Sequence, residues 1–258
     1  MAVPTNLRHN LNLLVLEGVP ILEQLQLEEA LLRSDQDSWC LVNTRAAPAI
    51  VMGVSTIPET VIDPTVYQKK PLPLIRRFSG GGTVVIEPAT VFMTLILDHS
   101  LIPVLPYPRE VMEWTHQLYQ PAFTSLPFKL EENDYTLAER KCGGNAQYFT
   151  KNRLLHHTSF LWDYTPAHME YLCMPPRMPS YRNLREHSDF LTKIKEHIPE
   201  QGELVKRLVD AVGGAFNLNR VALEDALAYL DRPHRKATTT IDWTINVPVP
   251  ACVPVPDC

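Results

Sequence analysis

Arg76-Arg77-Phe78-Ser79-Gly80-Gly81-Gly82-Thr83 is the stretch on which the reading of this chain turns. Three consecutive glycines remove every Cβ from a short run of backbone, so successive N–H groups can converge on an anion, and the paired arginines bring positive charge to the same place. The run is not a Walker loop, because no Gly-Lys-Ser/Thr follows. Nor is it a dinucleotide fingerprint, because the GxGxxG spacing and a succeeding helix are both missing. Instead, β-prone residues stand on either side, Leu74 to Phe78 before and Thr83 to Ile86 after. The glycines therefore read as a phosphate cradle slung between strands. The chain has only ten glycines, and five of them fall in this cluster and in Gly143-Gly144.

Working outward, Pro20 to Arg33 spaces Ile21, Leu22, Leu25, Leu27, Leu31 and Leu32 with Glu and Gln between them, which predicts an amphipathic helix. Trp39–Asn43 and Ala49–Gly53 are short and β-prone around a proline-containing turn, as in an antiparallel hairpin. Val91 to Leu97 is apolar enough for a central strand, and Pro106 to Leu118 is helix-like. Gln147 to Trp162 carries a hairpin signal with Lys151-Asn152 at its turn. Beyond Phe190, Glu203–Val209 and Leu223–Leu230 read as two amphipathic helices. The fold expected is α+β, with mixed or antiparallel sheets flanked by helices. A core domain over residues 1–190 is followed by a helical extension over 191–245 packing on it and a Pro-rich tail over 246–258.

Composition narrows the function. At 258 residues, 45% hydrophobic and 21% charged, the chain is long enough for one substantial core and is not a disordered sequence. Its 24 basic and 29 acidic side chains leave a net charge of -5, with no basic surplus for a nucleic-acid backbone. No apolar run reaches the roughly 20 residues of a membrane-spanning helix, and the first residues lack the pattern of a secretory signal. The expectation is a soluble intracellular protein, cytoplasmic or, in a eukaryote, mitochondrial or plastid, without nucleic-acid or membrane partners. Five cysteines, odd in number and without a CxxC pair, argue against a disulfide framework and against cysteine-ligated metal. Cys142 and Cys173 are the candidate thiol nucleophiles. Cys173 reads as a buried inert thiol, and strand alternation points Cys142 away from Lys141.

The second glycine cluster sits in a stretch running from Asn133-Asp134 to Lys141-Cys142-Gly143-Gly144. A lysine just before two glycines can lay its ammonium beside a substrate that the glycines let approach, stabilising charge as it develops on phosphate or carboxylate oxygens. His156-His157-Thr158-Ser159 follows within an apolar strand. Alternation sends His156 and Thr158 to one face and His157 and Ser159 to the other, so at most one histidine can face a given pocket. The loop Pro175 to His187 is proline-locked and basic, reading as a surface loop in which Arg177, Arg182 and Arg185 could form a local basic face.

Taken in this order, these segments resemble the lipoate-protein ligase A family of the biotin/lipoate ligase superfamily, over about residues 7 to 190. Ile21 to Arg33 is similar to the family's early Asn/Gln-Leu-x-x-Glu-Glu helix, and Arg76 to Thr83 to its Arg-Arg-x-Ser-Gly-Gly-Gly-Ala/Thr loop. Asn133-Asp134 is similar to its Asn-Asp pair, Lys141 to its lysine before a glycine turn, and His156 to Ser159 to its His-His-Gly-Thr strand. The resemblance implies a two-step ligase. ATP, with Mg2+, adenylates lipoate, and a lysine of a lipoyl carrier domain, on an E2 subunit or the H protein, attacks the adenylate. It implies that Lys141 holds the carboxyl and α-phosphate oxygens, and that Arg76, Ser79 and the Gly80, Gly81 and Gly82 backbone border the lipoyl and phosphate site. Thr83, Val84 and Val85 would face adenine, Asn133 and Asp134 the nucleotide, Gly143 and Gly144 the substrate, and His156 or His157 the acyl pocket. Where the family carries His-Asp-x-Gly-Asn, this chain has Ile86-Glu87-Pro88-Ala89-Thr90. Full-length bacterial members also carry a C-terminal accessory domain, and the residues after Phe190 are few for one. A separate accessory subunit is the corresponding expectation. The alternatives are an ATP-independent octanoyltransferase acting from acyl carrier protein, and a non-catalytic lipoate or lipoyl-domain binder.

Overall fold

The computed structural model describes residues 8–174 and 178–244. The Pro-rich tail and Pro175, Pro176 and Arg177 lie outside the described residues.

Among the described residues, twelve strands form two sheets. In chain order the elements are β1 (Asn10–Glu17), α1 (Ile21–Ser34), β2 (Trp39–Thr44), β3 (Ala49–Met52), α2 (Pro64–Lys69), β4 (Leu74–Arg76), β5 (Val84–Ile86) and β6 (Thr90–Asp98). There follow α3 (Pro108–Tyr119), β7 (Phe128–Glu131), β8 (Asp134–Leu137), β9 (Arg140–Phe149), β10 (Arg153–Leu161), α4 (His187–Phe190), α5 (Gln201–Ala215), β11 (Asn217–Arg220), α6 (Leu223–Leu227) and β12 (Thr239–Thr240). The large sheet runs β11-β1-β2-β6-β10-β9-β8-β7, and the small one β12-β4-β3-β5. Among the described residues no helix is long and apolar enough to cross a membrane.

Alternation along the large sheet divides the interior. Leu11 and Leu13, Cys40 and Val42, Val91 to Leu97 at odd positions, Leu154 and Phe160 point to one face, where α3 and α5 cover them with Val111, Tyr119, Leu204 and Leu208. The opposite residues, Leu14, Leu16, Trp39, Leu41, Ile96 and Leu155, meet Leu27 and Leu31 of α1. The helix turns Ile21 and Leu25 instead to Ala49, Val51, Ile75 and Ile86 of the small sheet, together with Phe92 of the large one. Helix α1 is therefore a wedge between the two sheets, and burial reaches its polar residues Gln24, Glu28 and Glu29. Its C-terminus is closed by Arg153 from the start of β10. The guanidinium donates to the carbonyls of Leu31 at 2.9 Å and of Asp35 and Asp37, groups that a helix end leaves without partners.

Two sequence expectations change here. Trp39–Asn43 and Ala49–Gly53 do not pair as a hairpin: β2 sits between β1 and β6, and β3 between β4 and β5. Both strands are buried on each face, which a two-stranded hairpin could not provide. The stretch after 190 is likewise not simply a helical extension. Leu204, Leu208, Val212 and Phe216 share the main core, β11 adds a parallel edge beside β1, and β12 pairs with β4 at Arg76 and Ile75. Buried Glu29 anchors that return, accepting the backbone N–H groups of Ala237 and Thr238 at 2.9 Å each. By contrast, β9 and β10 form the hairpin expected at Lys151-Asn152, closed by Thr150 N–H donating to the Arg153 carbonyl at 2.8 Å.

Candidate functional site

The first glycine cluster leaves β4 and crosses to β5. Arg77, nearly buried, donates to the Gly80 carbonyl at 2.7 Å and the Gly82 carbonyl at 2.9 Å, curling the loop around its own guanidinium. Burial lowers that guanidinium's pKa to about 10 against the opposing influence of the Glu28 carboxylate, so it remains charged at neutral pH. Arg76 reaches the other way, to the carbonyls of Val54 at 3.0 Å and Thr56 at 2.8 Å, and fixes the loop after β3. The two loops touch. A Cβ on Gly53 would collide with the Gly81 carbonyl, and Gly81 itself has φ +101°, so both positions require glycine. Gly80 and Gly82 are different, for a Cβ there would meet nothing within 4 Å. They line open space. Ser79 is buried beneath, its carbonyl accepting the Val54 N–H. Beyond the loop, the Thr83 hydroxyl is buried without a hydrogen-bond partner among the described residues. Val84 and Val85 follow on β5, the edge strand of the small sheet.

The second cluster lies on β9. Asp134 pairs with Gly144 and Tyr135 with Gly143, but Thr136 pairs with Lys141, so Cys142 is an inserted residue that bulges the strand. The bulge resets the alternation. Without it Lys141 would share the face of Gly143, which packs against Phe160 and Tyr135 in the core. With it, Lys141 shares the face of Gly144. Its ammonium lies across that glycine, 3.3 Å from where a Cβ would stand, and 2.8 Å from Asp134 Oδ1. The other carboxylate oxygen, Oδ2, accepts the Tyr181 hydroxyl at 2.9 Å. Asn133 contributes its carbonyl, which receives the Asn145 side-chain amide at 3.0 Å. The two clusters face one another, because a Cβ on Gly81 would stand 3.8 Å from the Asn145 carbonyl.

The histidines separate as alternation requires. His157 lies on the Gly144 face, its Nδ1 3.0 Å from Glu28 Oε1 and 2.9 Å from the Thr94 hydroxyl. Gln24 also donates to Glu28, at 2.7 Å, and accepts from Asn43 at 2.9 Å, so a buried polar chain runs from α1 to the sheet. His156 belongs to the opposite face. Fully buried, it contacts the Tyr135 hydroxyl, the Gln147 amide and the Thr158 hydroxyl. Burial, then the charge of His157, lowers its pKa to about 3, which keeps the ring neutral at physiological pH.

Several sequence readings are corrected. Of the basic loop, Arg182 and Arg185 do not form an outward basic face. Arg182 is buried, Arg182 and Arg185 bond each other's carbonyls, and both guanidinium groups lie over Phe190, at 4.8 and 5.5 Å from the ring centroid. Cys173 is half-buried, not buried as expected. Cys142 points into the core, where burial pushes its thiol pKa well up. Glu87, within the Ile86–Thr90 segment, is buried and accepts the Thr165 N–H and hydroxyl, each at 2.9 Å. Among the described residues no group of three or more His, Cys, Asp or Glu could hold a metal ion. The sequence reading missed Glu28 and Tyr181, which pair with His157 and Asp134. Glu28 had the family helix pattern as its signal, and Tyr181 had none.

An eight-stranded mixed sheet faces a smaller one, and a glycine loop from the small sheet is set opposite a lysine and a carboxylate on the large one; this is the fold of solved lipoate–protein ligases. Within it, residues 20–216 match the lipoyl protein ligase A/B catalytic domain, and the chain belongs to that family. A protein named inactive lipoate–protein ligase 2, from Plasmodium falciparum, is 29% identical over 191 residues, covering 60% of this chain and 49% of that protein. The chain thus spans about half the length of the curated relatives it matches. Among solved structures, a bipartite lipoate protein ligase studied with its E2 lipoyl domain, from Thermoplasma acidophilum, superposes with a TM-score of 0.69 at 15% identity. It covers 87% of this chain and 91% of that one. A lipoate-protein ligase A bound with ATP gives 0.67 at 15% identity, covering 87% and 93%.

Proposed function

We propose that the chain attaches lipoate to a lysine of lipoyl carrier domains by way of lipoyl-adenylate. The observation that carries the reading is the Lys141 ammonium laid across Gly144, 2.8 Å from Asp134, opposite the open space at Gly80 and Gly82. Family membership supports it, as does the ATP held by a protein of the same fold. A mixed anhydride is already reactive, and what it needs from a protein is orientation and cationic stabilisation. The carrier lysine's amine attacks the acyl carbon and forms the amide. The bond from that carbon to the phosphate oxygen breaks, AMP leaves with the electron pair, and the amine releases its proton. Lys141 stabilises charge on the carbonyl and phosphate oxygens throughout. The N–H groups of Gly80 to Gly82 face the same anion, the unpartnered Thr83 hydroxyl and the edge of β5 offer polar contacts to the nucleotide, and His157 borders the acyl chain. Mg2+ would accompany ATP in the adenylation step, held chiefly by the phosphates.

A second reading is a binder or transfer half that receives ready-made adenylate. Glu87 favours it: at the segment where the family carries His-Asp-x-Gly-Asn, this carboxylate is spent on Thr165. The relative named inactive points the same way. The octanoyltransferase alternative is weakened at one of its two candidate thiols, since Cys142 is on the face away from Lys141 and burial raises its pKa. An apo lipoyl domain incubated with the protein and lipoate, with ATP or with synthetic lipoyl-adenylate, and weighed by mass spectrometry, decides between them. Modification with ATP marks a complete ligase and modification only from adenylate a transfer half, while no modification from either overturns both and leaves the octanoyltransferase and binder alternatives.

A further inference from the structure

Resting on that reading, we propose that Tyr181 is the positioning residue of the site, setting the orientation of Lys141 by holding the far oxygen of Asp134. The carboxylate is shared. Oδ1 faces the ammonium at 2.8 Å and Oδ2 accepts the Tyr181 hydroxyl at 2.9 Å. A carboxylate whose second oxygen lacks a donor is free to rotate and take the ammonium on both oxygens. One pinned by a phenol offers a single oxygen in a fixed plane, and an ammonium with three donors then keeps two for a substrate anion.

Tyr181 is delivered to this position by several independent contacts. Its ring packs on Phe190 with centroids 5.2 Å apart. The Ser180 N–H donates to Glu132 Oε1 at 2.6 Å, and Arg185 donates to the Glu139 carbonyl at 3.1 Å. Past α4, the Thr192 N–H donates to the Lys141 carbonyl at 2.9 Å. The segment 178–192 therefore grips Lys141 twice, by its backbone and through Asp134. Burial, then the charge of Asp134, raises the phenol's pKa, so it remains a donor at any pH the protein experiences.

Tyr181→Phe removes the hydroxyl and keeps the ring on Phe190. With synthetic lipoyl-adenylate and an apo carrier domain, we expect kcat to fall roughly tenfold with KM for the adenylate within about twofold. In an Asp134→Asn background the same substitution should cost nothing more, because Tyr181 acts only through that carboxylate. Additive losses, or a Tyr181→Phe protein at the wild-type rate, overturn the proposal. A second readout needs no turnover: acetylation of Lys141 by an N-hydroxysuccinimide ester, followed by peptide mass spectrometry against exposed Lys195 as reference. An ammonium drawn onto both oxygens should label about threefold more slowly in Tyr181→Phe. Unchanged or faster labelling overturns the proposal. If the wild-type protein transfers no acyl group, the functional reading fails while the labelling arm still decides the role of Tyr181.

Discussion

The two glycine clusters solve opposite problems with the same residue. In Gly80–Gly82 the outer glycines have nothing within 4 Å of a would-be Cβ, and their bareness exposes backbone to a ligand. In Gly143-Gly144 the would-be Cβ atoms are hemmed in, by Phe160 and Tyr135 on the core side and by Lys141 on the other. The first cluster is a surface kept open, the second a floor on which the Lys141 side chain lies. A glycine run in a sequence states that Cβ is unwelcome; only the packing tells whether the space is reserved for a ligand or for the protein itself.

Substitutions can break that comparison, beginning with the strongest. Lys141→Ala removes the side chain that the second cluster was cleared to hold, and AMP release from lipoyl-adenylate should slow about a hundredfold to a thousandfold, with the melting temperature unchanged. Gly53→Ala drives a Cβ into the Gly81 carbonyl; urea titration should register a loss of about 2 kcal/mol, as for overpacked interiors. Gly144→Ala crowds the ammonium 3.3 Å away without touching backbone, so kcat should drop about tenfold while stability stays within about 1 kcal/mol.

Behind the second cluster, His156 provides a pH test. Its pKa is lowered to about 3 in the fold, whereas the unfolded chain binds that proton near the ordinary value of about 6.5. The contribution is complete above the unfolded value and is lost as pH falls toward the folded one, with a slope of up to about 1.4 kcal/mol per pH unit. Unfolding free energies measured from pH 7 to 4 should show this slope, and His156→Asn should flatten it. The smallest effect belongs to Gly80→Ala, which should move stability by no more than about 0.5 kcal/mol and appear only as a higher KM for adenylate.

What the sequence revealed follows the range of the interactions. The arginine–glycine loop, the lysine before its glycine pair and the split of the two histidines are local patterns, readable from spacing alone. The bulge at Cys142, which brings Lys141 to the correct face, leaves no mark in the residues around it. Tyr181 meets Asp134 from 47 residues away, and Arg182 and Arg185 looked like surface charges because nothing local disclosed Phe190. The hairpin expected of β2 and β3 failed because two short apolar strands separated by a turn look alike whether they pair with each other or enter different sheets. Strand β11, Asn217–Arg220, is short and polar, as a sheet edge often is, and so reads as coil.

The central claim is that the two clusters form one site. Hydrogen–deuterium exchange with a non-hydrolysable sulfamoyl analogue of lipoyl-adenylate tests it most directly. Slowed exchange at residues 79–84 together with residues 141–145 is the result expected. Protection confined to one of the two segments, at saturating analogue, would contradict the claim.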